Sequence, residues 1–203
     1  MKKLKYIITI SLLLALFIFV SAISYANTVS QDLSNNFFRL HILANSDSEL
    51  DQNLKLKVRD AVIDYMDTLS YDGLTKDEVI SLTNDHLEDF KSIAEQVLGE
   101  NGCNYEVNLE VGNFHFPTKE YGNISLPAGF YDGLKIEIGD AKGQNWWCSL
   151  FPPLCFVDIS SGIIDEEAEN DLKENLSKEE FAIITSGSEE VKLKFKLLEL
   201  FSN

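Results

Sequence analysis

Apolar and polar positions follow different periods along the 203 residues, and each period assigns an element. From Ile7 to Ile23 the run is apolar and uncharged. Phe37 to Ala44 is a short stretch of strand-like composition. Leu54, Val58, Ala61, Tyr65 and Leu69 then recur at helical spacing, behind Ser48 and Asp51 in the pattern of a capping box. After a turn at Asp72 and Gly73, Thr75 with Glu78 repeats that pattern. Val79, Leu82, His86, Phe90, Ile93 and Val97 predict a second helix, with His86 on its inward face and its end at Gly99. Two helices joined by so short a loop pack antiparallel.

From residue 104 the period falls to two. Tyr105, Val107, Leu109 and Val111 alternate with Glu106, Asn108 and Glu110, as Leu134, Ile136 and Ile138 do with Lys135 and Glu137, and both read as half-buried strands. Gly139 to Asn145 is a turn, and Pro117 and Pro127 suit edges or turns because proline donates nothing to a ladder. Trp146 to Asp158 is apolar almost throughout, Asp165 to Glu180 is acidic and predicts one or two exposed helices, and Val191 to Phe201 reads as a strand that turns helical. The sum is an α+β domain in which two N-terminal helices pack on one face of a small, mainly antiparallel sheet, the other face solvated, with a helical, acidic C-terminal part. No repeat, low-complexity tract or linker divides residues 27–203, which read as one domain.

Lys2, Lys3 and Lys5 precede the apolar run, and Ser24, Tyr25 and Ala26 follow it with small residues two apart. Residues 1–26 thus have the layout of a secretion signal cut after Ala26. An uncleaved anchor is the alternative, since the run approaches the roughly 20 residues of a spanning helix. In either case the lysines stay cytoplasmic and the rest crosses the membrane, touching it only through a leader that is kept. All 33 acidic residues lie beyond the leader and three of the 17 basic ones lie within it, so the remainder carries a formal charge of −19. That charge repels nucleic acid and anionic headgroups. A basic partner surface, a cationic wall component and plain solubility all agree with it.

Neither a nucleotide loop nor a nucleophile elbow, an HExxH helix or a CxxC pair occurs in the sequence. His41, His86 and His115 lack ligand spacing, and a Cys103–His115 nucleophile pair needs a proximity that twelve residues of separation do not supply. No catalytic residue, metal or cofactor is assigned, and no small-molecule substrate. Cys103, Cys148 and Cys155 are an odd set for an exported protein. Cys148 and Cys155 paired would close a loop around Pro152 and Pro153; three buried, reduced cysteines are the other reading. Burial of Trp146, Trp147 and Phe151 contributes roughly 1.5–3 kcal/mol for each large side chain, so core packing is one role for the block. The other is contact, because a Pro-Pro pair resists regular structure and presents Trp146, Trp147 or Phe151 on a loop.

The segments FRLHILANSDSELDQNLKLKVRDAV at 38–62 and FHFPTKEYGNISLPAGFYDGLKIEIGDAKGQNWWCSLFPPLCFVD at 114–158 resemble stage II sporulation protein R. The likeness rests on Ala44-Asn45-Ser46-Asp47, Lys57-Val58-Arg59-Asp60, Leu126-Pro127-Ala128-Gly129 and the Asn145-Trp146-Trp147-Cys148 to Cys155-Phe156-Val157-Asp158 block, together with the leader. It implies a signal made in the forespore and exported into the space between two septal membranes. There it activates a membrane-embedded aspartic protease of the mother cell from its extracytoplasmic face, and the protease removes the pro-sequence of the early mother-cell sigma factor. The protein is then a trigger and not an enzyme. The resemblance also places Cys148 and Cys155 on shared cysteine positions and leaves Cys103 as an extra. Candidate contact residues are Trp146, Trp147, Phe151, Pro152 and Pro153, with Arg39, Asn45 and Asp47 as further choices. An exported hydrolase and an extracytoplasmic binding or scaffold module are the alternatives.

Overall fold

The apolar N-terminal run forms the greater part of one helix, α1 (Lys2–Ser34). In the computed structural model, which describes residues 2–69, 73–155 and 166–185, Lys3–Tyr25 is long and apolar enough to cross a membrane by length and composition, and none of it is buried. The expected cut after Ala26 falls inside α1. The helix continues to Leu33, whose side chain is 0% exposed in the core, so its last turns pack with the rest of the protein.

Strand β1 (Phe38–Leu43) leads into α2 (Glu49–Thr68), where the Ser48 hydroxyl accepts the Asp51 N–H at 3.1 Å as the capping pattern predicts. The buried stripe of α2 is Leu54, Val58, Val62, Ile63 and Met66, whereas Ala61, Tyr65 and Leu69 are only half-buried. Both halves of the Thr75–Glu78 capping box form. The helix they open is interrupted, however, and the expected single element is two: α3 (Lys76–Asp85) and α4 (Leu87–Glu100). His86 stands at the break with φ −107° and ψ 18°, off helical geometry, half-exposed and not inward. Its Nδ1 lies 3.0 Å from the Tyr65 hydroxyl and 2.8 Å from Asp89 Oδ2. The break lets α4 lay Phe90, Ala94 and Leu98 against α2 while α3 reaches β2.

The alternating segments become β2 (Val107–Phe116) and β5 (Gly129–Ile138), joined through a hairpin of β3 (Lys119–Tyr121) and β4 (Ile124–Leu126). The Trp-rich block supplies β6 (Asn145–Phe151). The main sheet has the order β2-β5-β1-β6 and is mixed: β1 runs parallel to β5, while β2–β5 and β1–β6 are antiparallel. A parallel pair needs a long crossover, and α2 to α4 with β2 provide it here. Among the described residues the acidic C-terminal segment forms α5 (Glu166–Asn175) and α6 (Lys178–Thr185), which bury Leu172 and Ile184 and are not wholly exposed. The strand-then-helix expected over 191–201 lies outside the described residues.

Register assigns the two faces. Leu40 and Ile42 lie opposite Cys148 and Trp146 and, across β5, opposite Leu134 and Ile136; this is the side on which α2 packs. Arg39, His41, Trp147 and Ser149 point the other way. At the Arg39 end that face is covered by the β3–β4 hairpin and its aromatic neighbours, with Arg39 and Ser149 fully buried, whereas at the other end Lys135 and Glu137 reach solvent with Glu110, as their alternation suggests.

Candidate functional site

Three groups of side chains meet around β1 and β6, and the sequence-predicted candidates divide among them. The first is the layer beneath the hairpin. Arg39 is 0% exposed, with Cζ over the Phe116 ring at 4.3 Å and the Tyr131 ring at 4.8 Å. Its Nη2 donates to the Tyr121 hydroxyl at 3.1 Å, and that hydroxyl also donates to the Trp147 carbonyl at 3.4 Å. Trp147 stacks on His41 with centroids 3.5 Å apart, and Phe116 meets Trp147 edge-on at 4.9 Å. Burial lowers His41 to about 4, against the Asn145 hydrogen bond at 2.7 Å and Glu137 and assisted by the positive charges of Lys135 and Arg39, so the imidazole is neutral near pH 7. Burial also pushes the Tyr131 hydroxyl up, and that hydroxyl donates to the Pro127 carbonyl at 2.8 Å.

The second group is a polar knot behind β1. Asn45 Nδ2 donates to Asp51 Oδ2 at 2.9 Å while Asn45 Oδ1 accepts the Asp140 N–H at 3.0 Å. Asp47 Oδ1 accepts the Gln144 N–H at 2.7 Å, and Lys55 Nζ donates to the Gln144 carbonyl at 2.9 Å and to Gln52 Oε1 at 2.7 Å. Burial alone raises the Asp51 carboxyl, but hydrogen bonds led by Ser46 and Asn45 outweigh it and hold the group below the usual carboxylate range. The backbone passes so close that a Cβ on Gly143 would overlap the Ser46 carbonyl. Asn45 and Asp47 therefore tie the 139–144 turn to the first turn of α2.

The third group is the turn after β6. Cys148 and Cys155 are joined as a disulfide, with Cα atoms 5.0 Å apart, and the Leu154 N–H bonds the Ser149 carbonyl at 3.0 Å. Phe151 is 7% exposed and Pro152 is buried, whereas Pro153 is half-buried. Trp146 and Trp147 lie on β6 itself and not on a proline-held loop. Trp146 is half-exposed beneath Arg59, whose Cζ sits 4.2 Å from its ring. Ile63, Met66 and Asp67 of α2 face Leu150, Pro153 and Cys155 across a small cleft.

Arg39 and Trp147 are thus brought together, and Phe151, Pro152 and Pro153 share the turn at the disulfide, while Trp146 stands at the other end of β6 under Arg59 and Asn45 and Asp47 stand apart in the knot. Phe116, Tyr121 and Tyr131 are partners of Arg39 that sequence reasoning does not find. Their only signal there is aromatic content beside turn residues, which does not report a common neighbour. Cys103 and His115 cannot form a nucleophile pair. A strand rises about 3.3 Å per residue, so Val107 to His115 spans about 26 Å, and the four residues back to Cys103 cover at most about 14 Å.

The knot and the Trp-Cys block both fall within the part of the protein that matches known proteins. The family model described as Stage II sporulation protein R matches residues 34–161. The Stage II sporulation protein R of Bacillus subtilis (strain 168) is 37% identical over 155 residues, which is 76% of this protein and 69% of that relative. No solved structure matches it. With matches of this extent, the protein belongs to the stage II sporulation protein R family.

Proposed function

We propose that this protein is an exported signal of sporulation that activates a membrane-embedded aspartic protease of the mother cell and so triggers removal of the pro-sequence from the early mother-cell sigma factor. Family membership over residues 34–161, behind a helix apolar enough to enter a membrane, is the observation that carries the reading. The leader takes residues 27–203 out of the cytoplasm into the space between forespore and mother cell. There they act as one signalling domain on the extracytoplasmic face of the protease. Activation requires that the domain bind the protease's active state more tightly than its resting state. The half-exposed Trp146 on β6 and Pro153, on the turn closed by Cys148 and Cys155, form the contact, and strand and disulfide keep the ordering cost low.

The test is co-expression of this protein with the protease and its pro-sigma substrate in a non-sporulating host, followed by immunoblot of substrate size. Cleavage that requires both this protein and its leader is the expected result. Cleavage without it, or none with it, favours an exported hydrolase or a plain binding module instead. N-terminal sequencing of the exported form is expected to begin at Asn27, and an intact Met1 would assign α1 as an anchor.

A further inference from the structure

Arg39 is held at a cost that its surroundings do not offset. Arginine stays ionised in proteins, and a buried charge is ordinarily paired. Arg39 is fully buried, yet among the described residues no ion pair includes it and both Nε and Nη1 lack an acceptor. The Phe116 and Tyr131 rings replace part of the lost hydration through their negative faces. They do not accept the N–H protons on Nε and Nη1, and the single bond to Tyr121 serves Nη2 alone. Lys55, the other buried cation among the described residues, differs: its Nζ donates to two oxygens. Packing alone does not call for a cation here, since a neutral apolar side chain fills such a position without the desolvation.

The element over Arg39 lies outside the main ladder and is anchored by the buried side chains of Tyr121, Ile124 and Leu126. The β3–β4 hairpin is a separate sheet of two three-residue strands. A two-stranded hairpin is marginal by itself, so what holds this one down is the packing of those side chains and not its own ladder. The Tyr121 hydroxyl ties it to the layer below, to Arg39 and to the Trp147 carbonyl.

We propose that Arg39 is the receptor for a carboxylate of a protein partner, admitted when the β3–β4 hairpin lifts and Tyr121 releases the guanidinium. A carboxylate brings two acceptor oxygens in one plane and one negative charge; once Tyr121 gives up Nη2, those oxygens fit the Nε–Nη2 edge of the guanidinium and the charge neutralises the buried cation. A phosphate dianion is disfavoured because it leaves a second charge in the same dry layer. The carboxylate comes from an acidic side chain or from the carboxyl terminus of the partner. The proposal rests on reading this protein as a partner-binding signal, and it adds a recognition site on the opposite sheet face from Trp146.

The sequence contains two arginines, Arg39 and Arg59. The full-length protein with isotope-labelled arginine therefore yields two Nε–H resonances, assigned with Arg59→Lys. Sodium acetate is the probe and acetamide the neutral control. Acetate is expected to shift the Arg39 resonance downfield in a saturable way and leave Arg59 in place, with no response to acetamide. Tyr121→Phe, which frees the hairpin, is expected to lower the half-saturating concentration. Peptides bearing either a glutamate side chain with an amidated end or a free carboxyl terminus with no acidic side chain then distinguish the two sources by which one shifts the resonance. An Arg39 resonance that ignores acetate overturns the proposal, as does one already at a carboxylate-bonded position in the free protein, which would mean that the protein supplies its own acceptor. The measurement omits the protease, so its failure leaves the activation reading standing, and failed processing leaves a positive titration intact.

Discussion

Replacing Asn45 with alanine separates a residue that holds the fold from one that meets a partner. The side chain makes two hydrogen bonds, from Nδ2 to Asp51 Oδ2 at 2.9 Å and to Oδ1 from the Asp140 N–H at 3.0 Å. A bond to a charged group contributes about 1.5–3 kcal/mol and a neutral one about 0.5–1.5 kcal/mol, so losing both costs about 2–4 kcal/mol. For a protein of this size each kcal/mol moves the midpoint by about 2–4 °C, so Asn45→Ala should melt roughly 5–15 °C lower. The acid limb carries a second signature. Asp51 has a folded-state pKa below its unfolded one, so its contribution is complete above about 3.9 and is lost as pH falls through the folded value. Asn45→Ala returns Asp51 toward the ordinary range, and the variant should lose less stability than the parent on acidification. Circular dichroism melts at neutral and acidic pH measure both, and processing is assayed at a temperature where both proteins are folded. Full processing by a less stable variant is the expected result. A variant with an unchanged melting midpoint and no processing would refute the reasoning and make Asn45 a contact residue.

Other replacements test the remaining groups. His41 is neutral in the fold down to about 4 while the unfolded state protonates near 6.5, so stability falls as pH drops through that window; His41→Phe keeps the stack on Trp147 and should flatten the slope by up to one proton in denaturant melts, whereas an unchanged slope contradicts the assignment. Cys148 and Cys155 are seven positions apart, and closing a loop of that length stabilises by about 2.4 kcal/mol in the polymer-entropy account. The double Cys148→Ala, Cys155→Ala variant should lose about that much, and non-reducing peptide maps of the exported protein should join the two; freely alkylated cysteines would end the idea. Trp147→Ala removes the stack on His41 and the edge contact with Phe116 and should cost about 3 kcal/mol in denaturant melts, and a loss under 1 kcal/mol, about what an exposed ring costs, would place Trp147 outside the core layer. Trp146→Ala, under Arg59, should stay folded and lose processing, and an unfolded Trp146→Ala would assign that ring to the core alone.

Local elements were legible because their causes are local. Ser48 caps α2 and Thr75 with Glu78 caps α3, since an N-cap needs only a side-chain oxygen three residues from a free N–H. Leu134, Ile136 and Ile138 are buried as their alternation implies, because a strand sends every second side chain to the same side. The break at His86 was not legible. Val79, Leu82, His86 and Phe90 keep one helical period, and no glycine or proline marks the interruption; it follows from Tyr65 and from the separate packing of α3 and α4.

The same division runs through the candidate site. The Trp-Cys block stands out in one dimension because its composition is unusual, the Asn45–Asp47 motif because it resembles the family, and the leader because apolar length is itself the property a membrane selects. What each residue does there was settled only by folding. Asn45 and Asp47 became ties for a turn near residue 140, Trp146 and Trp147 took opposite faces of β6, and Arg39 was enclosed by Phe116, Tyr121 and Tyr131. The parallel pairing of β1 with β5, which brings Arg39 opposite Gly133, joins residues more than ninety positions apart. Period and composition report each residue's neighbours along the sequence, whereas burial, charge pairing and strand direction depend on neighbours that only tertiary packing supplies.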